Sequence, residues 1–205
     1  MPASSTADIA SLASLPERVV RAFIALRLSA APVEAALAAL IERLRAPDDG
    51  IRWVRPANFH LTLFFLGPSV ARERLAPIAE ALGTIAAATA PFEISARGVG
   101  AFPNLARPRV VWVGIHGAEL IRLAAQVTEA AVRCGFAAER RGYSPHLTIG
   151  RVRTLRSPGR LRRALHEEAD SSFGHSRIER VVLYRSELGP ESSTYHELAA
   201  LPFGS

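Results

Sequence analysis

An α+β fold with mainly antiparallel strand pairing is what this sequence predicts, and three observations predict it. Strand-like and helix-like segments are mixed along the chain, and several neighbouring strand-like segments are joined by connections of hairpin length. A parallel, doubly wound sheet needs longer crossovers than these. One four-residue pattern also occurs twice, as His60-Leu61-Thr62-Leu63 and as His146-Leu147-Thr148-Ile149. Two pseudo-symmetric lobes, with helices outside and a central cleft, account for that repetition.

The elements follow in order. Arg18 to Leu28 is rich in branched and aromatic residues and predicts a buried strand. Pro32 opens an amphipathic helix to about Arg45, closed by the turn material Pro47-Asp48-Asp49-Gly50. Arg52 to Val54 predict a short strand, and Phe59 to Leu66 the first motif strand, ended by Gly67-Pro68. A helix over Ala71 to Ala88 precedes two strands, Phe92 to Val99 and Arg109 to Ile115. In the second half a helix spans Ala118 to Cys134, and the second motif strand spans His146 to Val152, with Gly150 marking its end. A short basic helix over Pro158 to Glu168 leads to two strands, Ser176 to Glu187 and Thr194 to Leu201, paired as a hairpin across Gly189-Pro190-Glu191-Ser192. Each half thus supplies about two helices and one motif strand. Residues 1–17 are expected to form a disordered tail, and 18–205 a single bilobal domain.

Composition narrows the class. Of 205 residues, 49% are apolar and 21% charged, as in a well-buried globular protein rather than a disordered one. The net charge is +6, and because the chain holds no Lys all 25 basic residues are Arg. Such a surface is either simply solvated or attracts phosphates, which guanidinium binds in a two-pronged fork. Cys134 stands alone, so neither an internal disulfide nor a cysteine metal site can form; it is expected to be a small core residue. No apolar run is long enough to span a membrane, and the first residues do not resemble a secretory signal. A cytoplasmic setting is the expectation.

The repeated motif carries the chemistry. Side chains alternate along a strand, so His and Thr emerge on one face while the aliphatic residues anchor the other. Two imidazoles titrating near pH ~6.5 can divide the labour at phosphorus, one taking a proton from the attacking oxygen and one returning a proton to the departing oxygen. In-line attack requires the rings on opposite sides of the phosphate, which two strands from opposed lobes supply. Thr62 and Thr148 would donate hydrogen bonds to the non-bridging oxygens. Thr is a poor zinc ligand, and neither strand has Asp or Glu at its alternate positions, so a metal-free mechanism without cofactors is expected. His116, His166, His175 and His196 are read as solvated bystanders.

With the segments Arg21-Ala22-Phe23-Ile24-Ala25-Leu26, Arg52-Trp53-Val54-Arg55-Pro56, Phe64-Phe65-Leu66-Gly67, Gly98-Val99-Gly100-Ala101-Phe102-Pro103 and Leu183-Tyr184-Arg185-Ser186-Glu187-Leu188, the two motifs make the chain resemble the two-histidine phosphoesterases. Within them it is most similar to the RNA 2′,3′-cyclic phosphodiesterases, first called 2′-5′ RNA ligases. That resemblance runs from about residue 18 to the end. It implies hydrolysis of a terminal RNA 2′,3′-cyclic phosphate, or of a small cyclic nucleotide, to a 2′-phosphomonoester. It also implies His60 as proton donor, His146 as proton acceptor, and Thr62, Thr148 and Arg151 as phosphate contacts. From the residues alone the two histidines are interchangeable. Simple alternation puts Arg151 on the wrong face of its strand, and either a bulge or a strand end at Gly150 would re-aim it. Two alternatives are 2′-5′ joining of RNA ends in the same site and non-catalytic RNA or nucleotide binding. A monomer without an obligate protein partner is expected.

Overall fold

The computed structural model describes residues 9–28, 30–138, 142–189 and 193–204. Strands β1 (Val19–Arg27), β3 (His60–Ala71), β8 (Arg180–Leu188) and β9 (Ser193–Pro202) form one sheet in the order β3-β1-β8-β9. Strands β2 (Ile51–Trp53), β4 (Phe92–Phe102), β5 (Val110–His116), β6 (His146–Val152) and β7 (Ser172–Ile178) form the other, in the order β2-β6-β5-β4-β7. Every pairing is antiparallel. Setting β2 aside, β6-β5-β4-β7 repeats the arrangement of β3-β1-β8-β9, with a motif strand first in each. Pseudo-symmetry is therefore built into the strand order.

The helices are exchanged between the lobes. Helix α1 (Ala31–Leu44) joins β1 to the first motif strand, yet it packs against β7 of the second sheet. Helix α3 (Ala118–Arg133) joins β5 to β6, yet it packs against β3 and against α2 (Leu75–Ala87) of the first lobe. Helix α4 (Pro158–Glu167) contacts α1 and β4, completing the second lobe. Each exchange has a local cause. Val33, Leu37, Leu40, Ile41 and Leu44 make a helical stripe on α1 that must be buried, as do Leu120, Leu123, Ala124, Val127 and Ala131 on α3. Gly174 on β7 leaves room for Val33, whose Cγ2 would lie 3.3 Å from an added Cβ. One continuous core results, and it ties the sheets together.

Four expectations need correction. The lobes are not the two halves of the sequence, because segments alternate between sheets. The strand expected over 176–187 is two strands, which leave one sheet at Ile178 and enter the other at Arg180. Only Glu179 separates the two strands, with no Gly or Pro between Ile178 and Arg180, so the change of partner carries no turn signal. Gly67 and Gly150 lie inside their strands rather than ending them, since β3 continues to Ala71 and β6 to Val152. The expected tail is only partly outside the described residues. Positions 1–8 are, but Ile9–Ser14 forms a 3₁₀ turn whose Leu12 is 1% exposed in the core. Glu17 also pairs with Arg185. Burial of one Leu stabilises by roughly 2 kcal/mol, enough to order a short segment.

Candidate active site

The two motif strands carry the same irregularity at the same place. On β3, Thr62 faces Ala25 but Phe64 faces Ile24, so Leu63 is an extra residue. On β6, Thr148 faces Trp112 but Gly150 faces Val111, so Ile149 is the extra one. Such bulges reverse the alternation beyond them. Arg151 therefore returns to the face of His146 and Thr148, opposite Val110, which resolves the parity problem in the sequence. Gly150 is closely packed by β2: an added Cβ would lie 3.0 Å from both Ile51 Cγ2 and the Trp53 ring. By the same construction Phe65 returns to the face of His60 and Thr62.

All four motif side chains line one cleft of about 480 Å³, together with Arg151, Arg52, Arg21, Phe65, Phe102 and Tyr195. Leu61, Leu147 and Ile149 are fully buried on the opposite faces and hold the strands in place. A wider groove of about 830 Å³ crosses the second sheet past Trp112 and His116, but it touches only the flank of the second motif, at Ser144 and Pro145. The smaller cleft is the one that joins the motifs.

Both rings are held in the same way. His60 Nδ1 lies 2.8 Å from the Asn58 carbonyl oxygen, and His146 Nδ1 lies 2.7 Å from that of Ser144. A carbonyl only accepts, so each Nδ1 carries the hydrogen and each Nε2 is left to exchange a proton. Asn58 is itself fixed, since its side-chain amide donates to the Ser193 carbonyl at 3.0 Å. The surroundings then differ. His60 packs against Phe23 and Tyr195, with ring centroids 5.0 and 4.9 Å away, whereas His146 meets the edge of Phe102 at 4.9 Å. Burial pushes the His60 pKa down to about 4, against the Asn58 carbonyl, which favours the imidazolium; the positive charges of Arg151 and His146 push it down further. His60 is thus neutral in the open cleft near neutral pH.

The predicted residues His60, His146, Thr62, Thr148 and Arg151 are brought together. His116, His166, His175 and His196 are exposed, away from this cleft. Cys134 is half-buried and packs against the core. The aromatic wall and Arg21, whose guanidinium lies 4.4 Å from the centre of the Phe65 ring, were not read from the sequence. A signal existed: Phe65 follows His60 by the same interval at which Arg151 follows His146.

Residues 28–112 and 114–195 match the family described as LigT like Phosphoesterase. The chain is a LigT-like phosphoesterase. Over 150 residues this LigT-like phosphoesterase is 39% identical to an Archaeoglobus fulgidus RNA 2′,3′-cyclic phosphodiesterase, covering 73% of this chain and 82% of that one. It is 35% identical over 180 residues to the Methanothermobacter thermautotrophicus protein of the same name, covering 87% and 96%. Among solved structures it superposes on a Thermus thermophilus protein with a TM-score of 0.74 at 29% identity, covering 89% of this chain and 97% of the other. It superposes on Escherichia coli LigT complexed with 3′-AMP with a TM-score of 0.73 at 25% identity, covering 91% and 99%. These matches extend over both lobes of the LigT-like phosphoesterase and over both motif strands.

Proposed function

We propose that this chain hydrolyses RNA 2′,3′-cyclic phosphate ends to 2′-phosphomonoesters. The observation that carries this reading is that two histidines from strands of different sheets, each with Nδ1 held by a backbone carbonyl, line one cleft with two Thr and Arg151. The names of its relatives supply the same substrate. In the reaction His146 Nε2 takes a proton from water as its oxygen bonds to phosphorus. The bond from phosphorus to O3′ breaks, and His60 Nε2–H protonates that oxygen. Thr62, Thr148 and Arg151 bind the non-bridging oxygens, on which charge accumulates.

His60 must be protonated to act as the acid, although the open cleft holds it neutral. The phosphodiester supplies the missing charge. An anion placed between His60 and Arg151 offsets both the burial and the neighbouring cation, so binding brings a proton with it. The depressed value also supports a second reading, with His60 as base and His146 as acid. The two assignments separate on a substrate whose 3′ leaving oxygen is replaced by sulfur, a thiolate needing no acid. His60→Ala regains activity on it if His60 is the acid; rescue of His146→Ala instead reverses the roles. The overall reading is tested with a defined cyclic-phosphate oligonucleotide and phosphorus NMR. A 2′-phosphomonoester is expected, and no opening of the ring would overturn it. Adding an RNA with a 5′-hydroxyl end tests whether the same site also joins ends.

Monomeric action in a reducing, cytoplasmic compartment completes the reading. Among the described residues no helix is long and apolar enough to cross a membrane.

A further inference from the structure

The face that carries His146 and Thr148 does not stop at Arg151. Strand β6 pairs with β2 through Arg151 and Arg52, and the ladder continues one step further, where the Arg153 N–H donates to the Gly50 carbonyl at 2.9 Å. Beyond the bulge, alternate residues share a face, so Arg153 follows His146, Thr148 and Arg151 on one side of the sheet. A second groove, of about 580 Å³, opens there, lined by Arg52, Arg153, Arg156, Thr154 and Asp48. Arg52 lines both this groove and the catalytic cleft, so the two adjoin at that side chain.

The charge of Arg153 and Arg156 is available. Arg153 and Arg156 are exposed, and among the described residues neither has an acidic partner within ion-pair distance. Arg43, Arg45, Arg133, Arg177, Arg180 and Arg185, elsewhere on the surface, each meet a Glu. Of the two carboxylates beside the groove, Asp49 is engaged: it accepts from the Ile51 N–H at 2.8 Å and from Trp53 Nε1 at 2.9 Å, fixing the turn before β2. Asp48 and Asp49 together offset two of the three guanidinium charges of Arg52, Arg153 and Arg156, which leaves the groove net positive. Arg151 and Arg153 are about 6.6 Å apart along the strand, a separation suited to successive phosphates of one strand.

We propose that this groove is the track for the RNA segment upstream of the reacting nucleotide, with Arg153 and Arg156 binding its phosphates. The inference rests on the phosphodiesterase reading above and makes it specific: the substrate is a polynucleotide end rather than a free cyclic nucleotide. Contacts of this kind read charge and not sequence, so no base preference arises from the track itself.

The test compares the full chain with an Arg153→Gln/Arg156→Gln variant on a 2′,3′-cyclic mononucleotide and on cyclic-phosphate oligoribonucleotides of increasing length. For the wild type, kcat/KM rises with length and falls with salt. In the variant the oligonucleotide value drops roughly tenfold at low salt, and its dependence on log salt flattens by about 1.4, or about 0.7 for each lost contact. Turnover of the mononucleotide is unchanged, which also shows that the variant is folded. Equal loss on both substrates, or none on either, overturns the track. Should the wild type open neither substrate, the phosphodiesterase reading falls. Binding of an RNA bearing a terminal 3′-phosphate, followed by fluorescence anisotropy, then judges the track separately: weaker binding by the variant supports it and equal binding removes it.

Discussion

The two lobes present the same pair of residues, a His and a Thr, to the cleft, held by the same bulge and the same Nδ1–carbonyl bond, yet they make different sites of them. In the first lobe the imidazole is boxed in by Phe23 and Tyr195, and the position past the bulge is Phe65, covered by Arg21. In the second lobe the imidazole meets one aromatic edge, and the corresponding position is Arg151. Duplication supplies the geometry of a two-sided attack on phosphorus. Divergence of the surroundings supplies the asymmetry that a reaction with distinct entering and leaving oxygens requires.

Removing either imidazole breaks the comparison most severely. His60→Ala and His146→Ala are each expected to lower kcat by roughly 10²–10⁴-fold at neutral pH, the scale of one lost proton transfer. The double variant should lose little more than the worse single one, because the two act in one step. A pH–rate profile sharpens this: two limbs for the wild type, one for each single variant. Two limbs persisting in His60→Ala would remove His60 from the chemistry.

Arg151→Gln comes next, with a loss of roughly 10–100-fold in kcat/KM, in line with removal of a charge-assisted contact to a phosphoryl oxygen. Phe65→Leu at the equivalent position of the other lobe should cost less than about tenfold and fall mainly on KM, since an apolar wall binds ground and transition states alike. Equal effects at the two positions would mean that the lobes have not diverged in role.

Much of this was legible in the chain, for identifiable reasons. The motifs lie on strands, whose period of two fixes which residues share a face, so His60, Thr62, His146 and Thr148 could be grouped before any coordinates. Arg151 was legible only through family resemblance, because Gly150 hints at an irregularity but the register between β5 and β6 decides whether the alternation reverses there. The exchange of α1 and α3 between lobes was hidden for a similar reason: an amphipathic stripe reports that a helix is buried, not against which sheet. The passage from β7 to β8 was hidden because neither Gly nor Pro stands between Ser176 and Val182 to mark a turn. Leu12 lay in a Ser- and Ala-rich stretch in which one apolar residue carries little weight.

Gly150→Ala tests the bulge itself. The added methyl meets Ile51 and the Trp53 ring at 3.0 Å, both on β2, whose Arg52 lies across from Arg151. Displacing that strand is expected to destabilise the fold by about 1–3 kcal/mol and to re-aim Arg151, lowering kcat/KM several-fold. Thermal denaturation and kinetics together check this. A destabilised variant with unchanged kcat/KM would show that Arg151 does not depend on β2 for its direction.

The smallest effect on rate, and the most direct reading of the asymmetry, is expected from Tyr195→Leu. Loss of the edge-on ring admits water to His60, whose pKa should rise from about 4 toward the ordinary ~6.5, followed by the imidazole NMR signals. The sign for stability follows. In the wild type the unfolded chain takes up this proton near pH ~6.5 and the folded chain only near 4, so unfolding is accompanied by proton uptake between those values and stability declines as pH falls through them. Tyr195→Leu should make that decline shallower, and His60→Asn should remove its contribution altogether. Inorganic phosphate should act in the same direction as Tyr195→Leu, raising the His60 value by occupying the cleft beside it. If phosphate instead left His60 titrating near 4, the anion would not be reaching the ring, and His60 could not be the group that protonates the leaving oxygen.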